Sequence, residues 1–247
     1  MTKAAAKAPE IASEPPLLEL VGVRAAYGRI EVLQGVDLQV PRGAVVALLG
    51  PNGGGKTTTL KVASGQMPAT AGCIHLAGRH INGASPDALA RIGVCTIPEG
   101  RGVFPNLTVR ENLRMVTFAG IKQSVVEEKA FTRFPRLGER RHQLAGTMSG
   151  GEQQMLAMAR GLAVEPSLLF LDELSMGLAP LIVEELYEIV AQIAQSGVSI
   201  LVVEQFARTV LGVADIAVIM LHGRVTAVGT PEEIAPELEA AYLGSNA

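Results

Sequence analysis

Short apolar runs and longer amphipathic stretches alternate along this chain. Runs at 17–23, 31–40, 44–49, 93–97, 168–171, 198–203 and 216–220 have the length and composition of strands. The 31–40 run alternates only in part (Leu33, Leu38, Val40), whereas 168–171 is apolar throughout, as in a strand covered on both faces. Between the runs, 181–194 places Ile182, Leu186, Ile189, Val190 and Ile193 at helical spacing and ends at Gly197. A helix over 151–164 ends before Pro166. Ser85-Pro86-Asp87 predicts an N-cap with Pro at the first helical position, for a helix to about Arg91. Thr108-Val109-Arg110-Glu111 is a capping box opening a helix to about Ala119, and 124–134 predicts another that Pro135 stops. Thr230-Pro231-Glu232-Glu233 caps a last helix. Residues 74–76 with Ala77-Gly78-Arg79 predict a short antiparallel pair, and His222-Gly223-Arg224 turns the chain into 225–228. The pattern predicts an α/β fold: a mainly parallel sheet between two other layers, with residues 100–150 a helical insertion.

One loop carries a specific signal. Gly50-Pro51-Asn52-Gly53-Gly54-Gly55-Lys56-Thr57-Thr58 follows the 44–49 strand and leads into a helix, matching G-x-x-x-x-G-K-[ST]. Strand, glycine loop and helix start together aim backbone N–H groups and the positive end of a helix dipole at phosphate. The glycines permit φ > 0 and close approach of backbone to ligand. Lys56 is placed to reach the β- and γ-phosphates of ATP, and the Thr57 hydroxyl to hold Mg²⁺. A glycine turn that merely joins a strand to a helix does not require Lys-Thr at its end.

A phosphate loop alone leaves kinases, GTPases and motors open, and the second half of the chain narrows the choice. The apolar strand 168–171 ends in Asp172-Glu173. In a phosphate-loop fold Asp172 supports Mg²⁺, and Glu173 is the candidate general base that polarises the attacking water. Upstream, Met148-Ser149-Gly150-Gly151-Glu152-Gln153-Gln154 opens a helix with Ser and Gly, which makes a second anion site from free N–H groups. Two cradles do not fit one ATP in one chain. They fit a head-to-tail dimer in which each second cradle faces the other subunit's nucleotide.

With these motifs the chain resembles the ATP-binding subunit of ABC transporters over residues 17–245. Ser149, Gly150, Gly151 and Glu152 are similar to that family's signature, written here S-G-G-E-Q-Q. The resemblance implies a phosphate-loop three-layer core with an antiparallel β subdomain and a helical insertion. It also implies that Tyr27 stacks on adenine; without the resemblance, a core tyrosine is the ordinary alternative. The 175–180 loop is implied to touch the other half of the dimer. The stretch from Pro98 to Leu113, with Val203-Glu204-Gln205 and Gly177-Leu178-Ala179-Pro180, is similar to the ATPases of branched-chain amino acid importers. That subgroup implies a second, related but non-identical ATPase subunit, two transmembrane permeases and an extracytoplasmic solute-binding protein. The implied location is cytoplasmic, peripheral on the inner face of the cell membrane.

Some positions depart from the general family pattern. Glu99 stands where a Gln usually reaches Mg²⁺ and water, and adds a charge that attracts the cation and repels the γ-phosphate. Gln205 stands where a His usually meets the γ-phosphate; its amide donates a hydrogen bond but carries no charge. Leu174 replaces a Pro, and Gly54 an Ala whose stiffer backbone predicts modestly tighter ATP binding. Phe104, Leu107, Met115 and Phe118 in the helical insertion offer either a permease-docking surface or core packing.

Composition changes this picture little. The 247 residues carry a net charge of −3, which gives no electrostatic support for nucleic-acid binding. Cys73 and Cys95 have no metal-ligand spacing and read as buried thiols in a reducing compartment. Residues 1–16 predict a disordered extension and 17–247 a single domain. The longest apolar stretch, 210–221, is interrupted by Asp215 and is too short to span a bilayer. Two readings compete with a transporter ATPase. A small-molecule kinase leaves 149–154 unexplained. A non-transport ABC protein usually needs a coiled-coil insertion or two cassettes in one chain.

Overall fold

Alternate residues of the central strands feed two separate apolar cores. In the computed structural model, which describes residues 14–100, 102–205 and 207–244, the chain passes in order through β1 (Leu18–Tyr27), β2 (Ile30–Val40), β3 (Val45–Leu49), α1 (Lys56–Ala63), β4 (Ala71–Leu76), β5 (Arg79–His80), α2 (Pro86–Arg91) and β6 (Val94–Ile97). There follow α3 (Val109–Arg114), α4 (Gln123–Arg133), α5 (Pro135–Glu139), α6 (Gly150–Leu162), β7 (Leu168–Asp172), α7 (Pro180–Gln195), β8 (Ser199–Glu204), α8 (Ala207–Leu211), β9 (Ile216–Leu221), β10 (Arg224–Gly229) and α9 (Pro231–Gly244). The central sheet has the order β10-β9-β3-β8-β7-β6, and a second, antiparallel sheet has the order β2-β1-β4-β5.

Val45, Ala47 and Leu49 of β3 point into a core shared with α6, α7 and the helical insertion. Val46 and Leu48 point the other way, into a core shared with α1 and the antiparallel sheet. Leu169 and Leu171 of β7 join the first core, and Leu168 and Phe170 the second. This is the three-layer arrangement expected of a parallel sheet covered on both faces, and the period of two explains why its strands read as unbroken apolar runs.

The parallel register sets the site. Leu49 lies opposite Glu204, Asp172 opposite Val203, and Ile97 opposite Leu171. The carboxyl ends of β3, β8, β7 and β6 therefore finish nearly level, where ligands bind in open α/β sheets.

The helical insertion is held by its own polar anchors. Thr108 and Glu111 form the expected capping box. Fully buried Asn112 accepts from the Phe104 N–H at 2.8 Å and donates to the carbonyls of Phe104, Leu107 and Thr108. The helix from Thr108 ends early, however: α3 stops at Arg114 and 115–119 tighten into a 3₁₀ segment. Pro135 stops α4 but also begins α5, its missing N–H costing nothing at a first helical position. Cys73 is exposed on β4, contrary to the buried thiol expected, while burial pushes the Cys95 thiol up to about 11. The expected extension 1–16 falls largely on residues outside the described ones, as do Arg101 and the side chain of Phe118.

Gly223, in the turn between β9 and β10, joins the two sheets to the phosphate loop. Its N–H donates to the Gly54 carbonyl at 2.8 Å, and its carbonyl accepts from the Gln34 N–H at 2.9 Å. Its φ is +77°, and a Cβ there would collide with the Val32 backbone carbonyl. Gly43 has a similar φ of +68° with nothing within 4 Å of a Cβ position. Gly43→Ala should therefore cost only the left-handed penalty of about 1–2 kcal/mol. Gly223→Ala should cost at least about 2 kcal/mol more, because two stretches of backbone must also part. Urea unfolding of both variants checks the ordering; equal costs would contradict the packing described for Gly223.

Candidate nucleotide site

The loop between β3 and α1 is shaped by close approach to β9. Gly50 has φ +146°, and a Cβ there would collide with the Met220 carbonyl. Gly55 is the N-cap of α1 in the left-handed region and offers no capping side chain. The first intrahelical bond is donated by Thr59 to Gly55, at 2.8 Å. The N–H groups of Lys56, Thr57 and Thr58 thus lie in the first turn of the helix, where backbone donors are not used within the helix. Asn52 and Gly53 are exposed at the tip, with Pro51 half-buried behind them. A Cβ on Gly54 would sit 2.9 Å from the Met220 carbonyl oxygen and 3.0 Å from that of Pro51. Alanine fits there only if backbone shifts, so the tighter ATP binding expected of it does not follow.

Lys56 is 4% exposed, and its ammonium donates to the carbonyls of Gly50 at 2.8 Å and Pro51 at 3.1 Å. Burial lowers its pKa, opposed by the charges of Glu173, Asp172 and Glu204. The Thr57 hydroxyl donates to Asp172 at 3.3 Å. Burial pushes Asp172 up to about 6, assisted by Glu173 and Glu99 and opposed by the Thr57 bond. Burial also raises half-buried Glu173, with Glu99 and Glu204 adding to the rise and Lys56 opposing it. Glu99 itself is exposed, two residues beyond β6. The structure thus gathers Lys56, Thr57, Glu99, Asp172 and Glu173 into one electrostatic group, with Gln205 half-buried just past the end of β8.

Crowded carboxylates beside a hydroxyl are hard oxygen donors with more negative charge than Lys56 neutralises. That set fits Mg²⁺, which takes one or two protein carboxylates and completes its shell with water and phosphate. Among the described residues no three His, Cys, Asp or Glu are arranged to hold a metal by themselves.

Glu173 is one of few non-glycine residues in the left-handed region, with φ +47°. Such strain persists only where the surroundings enforce it, and it gathers at functional sites. Here the Glu173 N–H donates to the Val203 carbonyl at 2.9 Å, and Leu174, in place of Pro, is buried at 2% exposed.

Other expected site residues lie apart from this group in the chain. Tyr27 ends β1, which runs four residues beyond the predicted 17–23 strand, and is 49% exposed at the tip of the β1–β2 hairpin. Ser149 is exposed at the N-cap of α6. Glu152 turns back onto it, accepting from its N–H and its hydroxyl at 2.9 Å each, and pairs with Arg140 at 2.7 Å. Burial would raise the Glu152 pKa, but these hydrogen bonds and Arg140 bring it below the usual range. Its carboxylate is therefore engaged in capping α6, and the expectation of a direct nucleotide contact passes to Ser149 and Gly150. Gly151 has a packing reason of its own, since a Cβ would collide with Ile182 of α7. The reading of the sequence placed Glu204 only in the stretch Val203-Glu204-Gln205 and gave it no role in the site.

Comparison with known proteins agrees with this geometry. Residues 33–175 match the family model described as ABC transporter. The chain is 42% identical over 232 residues to the high-affinity branched-chain amino acid transport ATP-binding protein BraG of Pseudomonas aeruginosa, covering 92% of this chain and 100% of that one. It is 34% identical over 221 residues to the probable branched-chain amino acid transport ATP-binding protein LivF of Archaeoglobus fulgidus, covering 88% and 94%. A solved structure of MJ1267, an ATP-binding cassette of an ABC transporter in its ADP conformation, superposes with a TM-score of 0.83 at 24% identity, covering 92% and 98%, and shares the fold. A loop built for phosphate, acids at the ends of neighbouring strands and these matches converge: the chain belongs to the ABC transporter family, as one of its ATP-binding ATPase subunits.

Proposed function

We propose that this ATPase energises import of branched-chain amino acids or a similar small solute. The observation that carries the reading is the 42% identity to BraG along that protein's whole length. The proposed partners are a second, related but non-identical ATPase subunit, two transmembrane permeases and an extracytoplasmic solute-binding protein. In support, Pseudomonas aeruginosa has a distinct relative, BraF, 31% identical to this chain and named for the same transport. No described helix is long and apolar enough to cross a membrane, in keeping with a subunit that docks on permeases from the cytoplasmic side. Phe104 and Met115 are 44% and 47% exposed, and Met115 and Leu107 line an open groove with Glu111, Arg114 and Thr117. We assign the permease contact to this face.

Each residue of the site then has a role. Backbone donors of 53–58 and the Lys56 ammonium bind the phosphates of ATP, and Tyr27 presents its ring to adenine. Mg²⁺, when bound through Thr57, Asp172 and Glu99, offsets charge on the phosphates. Glu173 accepts the proton of the water that attacks the γ-phosphate; burial and neighbouring acids raise its basicity toward working pH. Gln205 donates its amide to the γ-phosphate. Ser149 and Gly150, at the dipole end of α6, serve the nucleotide held by the partner subunit.

Co-purification with its membrane subunits, followed by ATP-driven uptake of labelled leucine into proteoliposomes, tests the transport reading. Uptake that requires ATP is expected. An assembled complex that hydrolyses ATP yet moves none of leucine, isoleucine or valine would assign the subunit to another solute. Two variants separate binding from chemistry. Glu173→Gln should bind ATP normally and lose turnover by roughly 10²- to 10⁴-fold. Lys56→Ala should instead weaken ATP binding by roughly 10- to 100-fold, as loss of a charged hydrogen bond does. Undiminished turnover in the first, or unchanged affinity in the second, removes the assigned role.

A further inference from the structure

Glu204 is the last residue of β8, a strand buried along its length, and is 1% exposed. A carboxylate so placed persists only if its oxygens are hydrogen-bonded, since apolar packing costs less than a buried charge. All three of its recorded donors come from the segment after Glu173. The Ser175 N–H donates to Oε1 at 2.8 Å and the Ser175 hydroxyl to Oε2 at 2.8 Å. The Tyr187 hydroxyl, from the buried face of α7, donates to Oε1 at 2.7 Å. Burial, then the Glu204 charge and this bond, raise the Tyr187 pKa well above its ordinary value, so it stays a donor.

These bonds bracket a strained residue. Glu173 sits at φ +47° with its N–H on the Val203 carbonyl, and its own carbonyl accepts from Met176 at 3.2 Å. Residues 173 and 175 are thus pinned to consecutive positions of one strand end, Val203 and Glu204, and Gln205 follows next. The exposed apolar side chains of Met176 and Leu181 flank the same loop.

We infer that Glu204 is a positioning residue for ATP hydrolysis: by fastening Ser175 it holds Glu173 in its left-handed conformation and locks the 175–180 loop to the strand end that carries Gln205. The inference rests on Glu173 as the general base. It predicts a loss in turnover that far exceeds any change in ATP binding, because Glu204 makes no recognised bond to the phosphate loop and reaches Lys56 only through its charge.

Steady-state kinetics of the assembled ATPase pair and fluorescent-nucleotide binding by the isolated chain test it, with thermal unfolding measured alongside. Glu204→Ala should lower kcat by roughly 100-fold, the cost of about 1 Å of misplacement, and change nucleotide affinity by less than about 10-fold. Glu204→Gln should retain most of the rate: its amide oxygen accepts at the Oε1 position, and the Ser175 hydroxyl can rotate to accept from the amide NH₂. Combining Ser175→Ala with Glu204→Ala should be non-additive in kcat, because each single variant already breaks the bond between the Ser175 hydroxyl and Glu204. A normal rate in Glu204→Ala, affinity lost in step with rate, or additive effects in the double variant would overturn the inference. If Glu204→Ala does not fold, Ser175→Ala decides: a lowered kcat at kept nucleotide affinity supports the inference, and a normal kcat overturns it. Glu173→Gln serves as the reference. If it is inactive while Glu204→Ala is normal, only the positioning role fails; if it turns over normally, the base assignment fails and this inference with it.

Discussion

The register of the parallel sheet is the constraint on which the rest of the structure depends. With Leu49 opposite Glu204 and Asp172 opposite Val203, the strands release their chains at nearly the same level. Gly50, Glu173 and Gln205 are each the first residue past a strand end. A slip of one residue in β7 would turn Asp172 to the other face and exchange its two apolar rows between cores that do not match them. The cores therefore specify the site: Leu169 and Leu171 on one side, Leu168 and Phe170 on the other, fix where Asp172 and Glu173 emerge.

Holding several acids so close has a cost that the chain accepts locally. Asp172 is pushed up to about 6 and Glu173 is raised, while the charge of Lys56 opposes part of the crowding. A nucleotide with its cation offsets the remainder, so the site is organised for a charged ligand more than for its own stability. Backbone makes a similar concession. The phosphate loop lies so close to the Met220 carbonyl that Gly50 cannot carry a side chain, and Gly223 joins that loop to β2 under the same restriction.

Much of this was legible in the sequence because its causes are local. The phosphate loop, the Thr108–Glu111 capping box and the Asp172-Glu173 pair each announce themselves within a few residues. What stayed hidden depends on residues that meet only in the fold. Glu204 finds Ser175 and Tyr187 at separations of 29 and 17 residues, and Gly223 reads in sequence as an ordinary turn. Glu152 shows the opposite limit. A Ser followed three residues later by Glu is both a capping box and part of the family signature, and geometry assigns its carboxylate to the cap. Pro135 similarly reads as a stop, whereas it ends one helix and begins the next.

The central claim is that ATP is held between two subunits: Gly50 to Thr58 forms half of one site, and Ser149 and Gly150 of this chain face the nucleotide held by the partner subunit. Ser149→Asp tests it most directly, because aspartate keeps an N-cap acceptor on α6 while placing a negative charge where the partner's γ-phosphate would lie. ATP affinity of the isolated chain and turnover of the assembled ATPase pair are the two quantities to measure. The account predicts unchanged affinity in the first and turnover lower by about 100-fold in the second. Weakened ATP binding by the isolated chain, or full turnover in the pair, would contradict it.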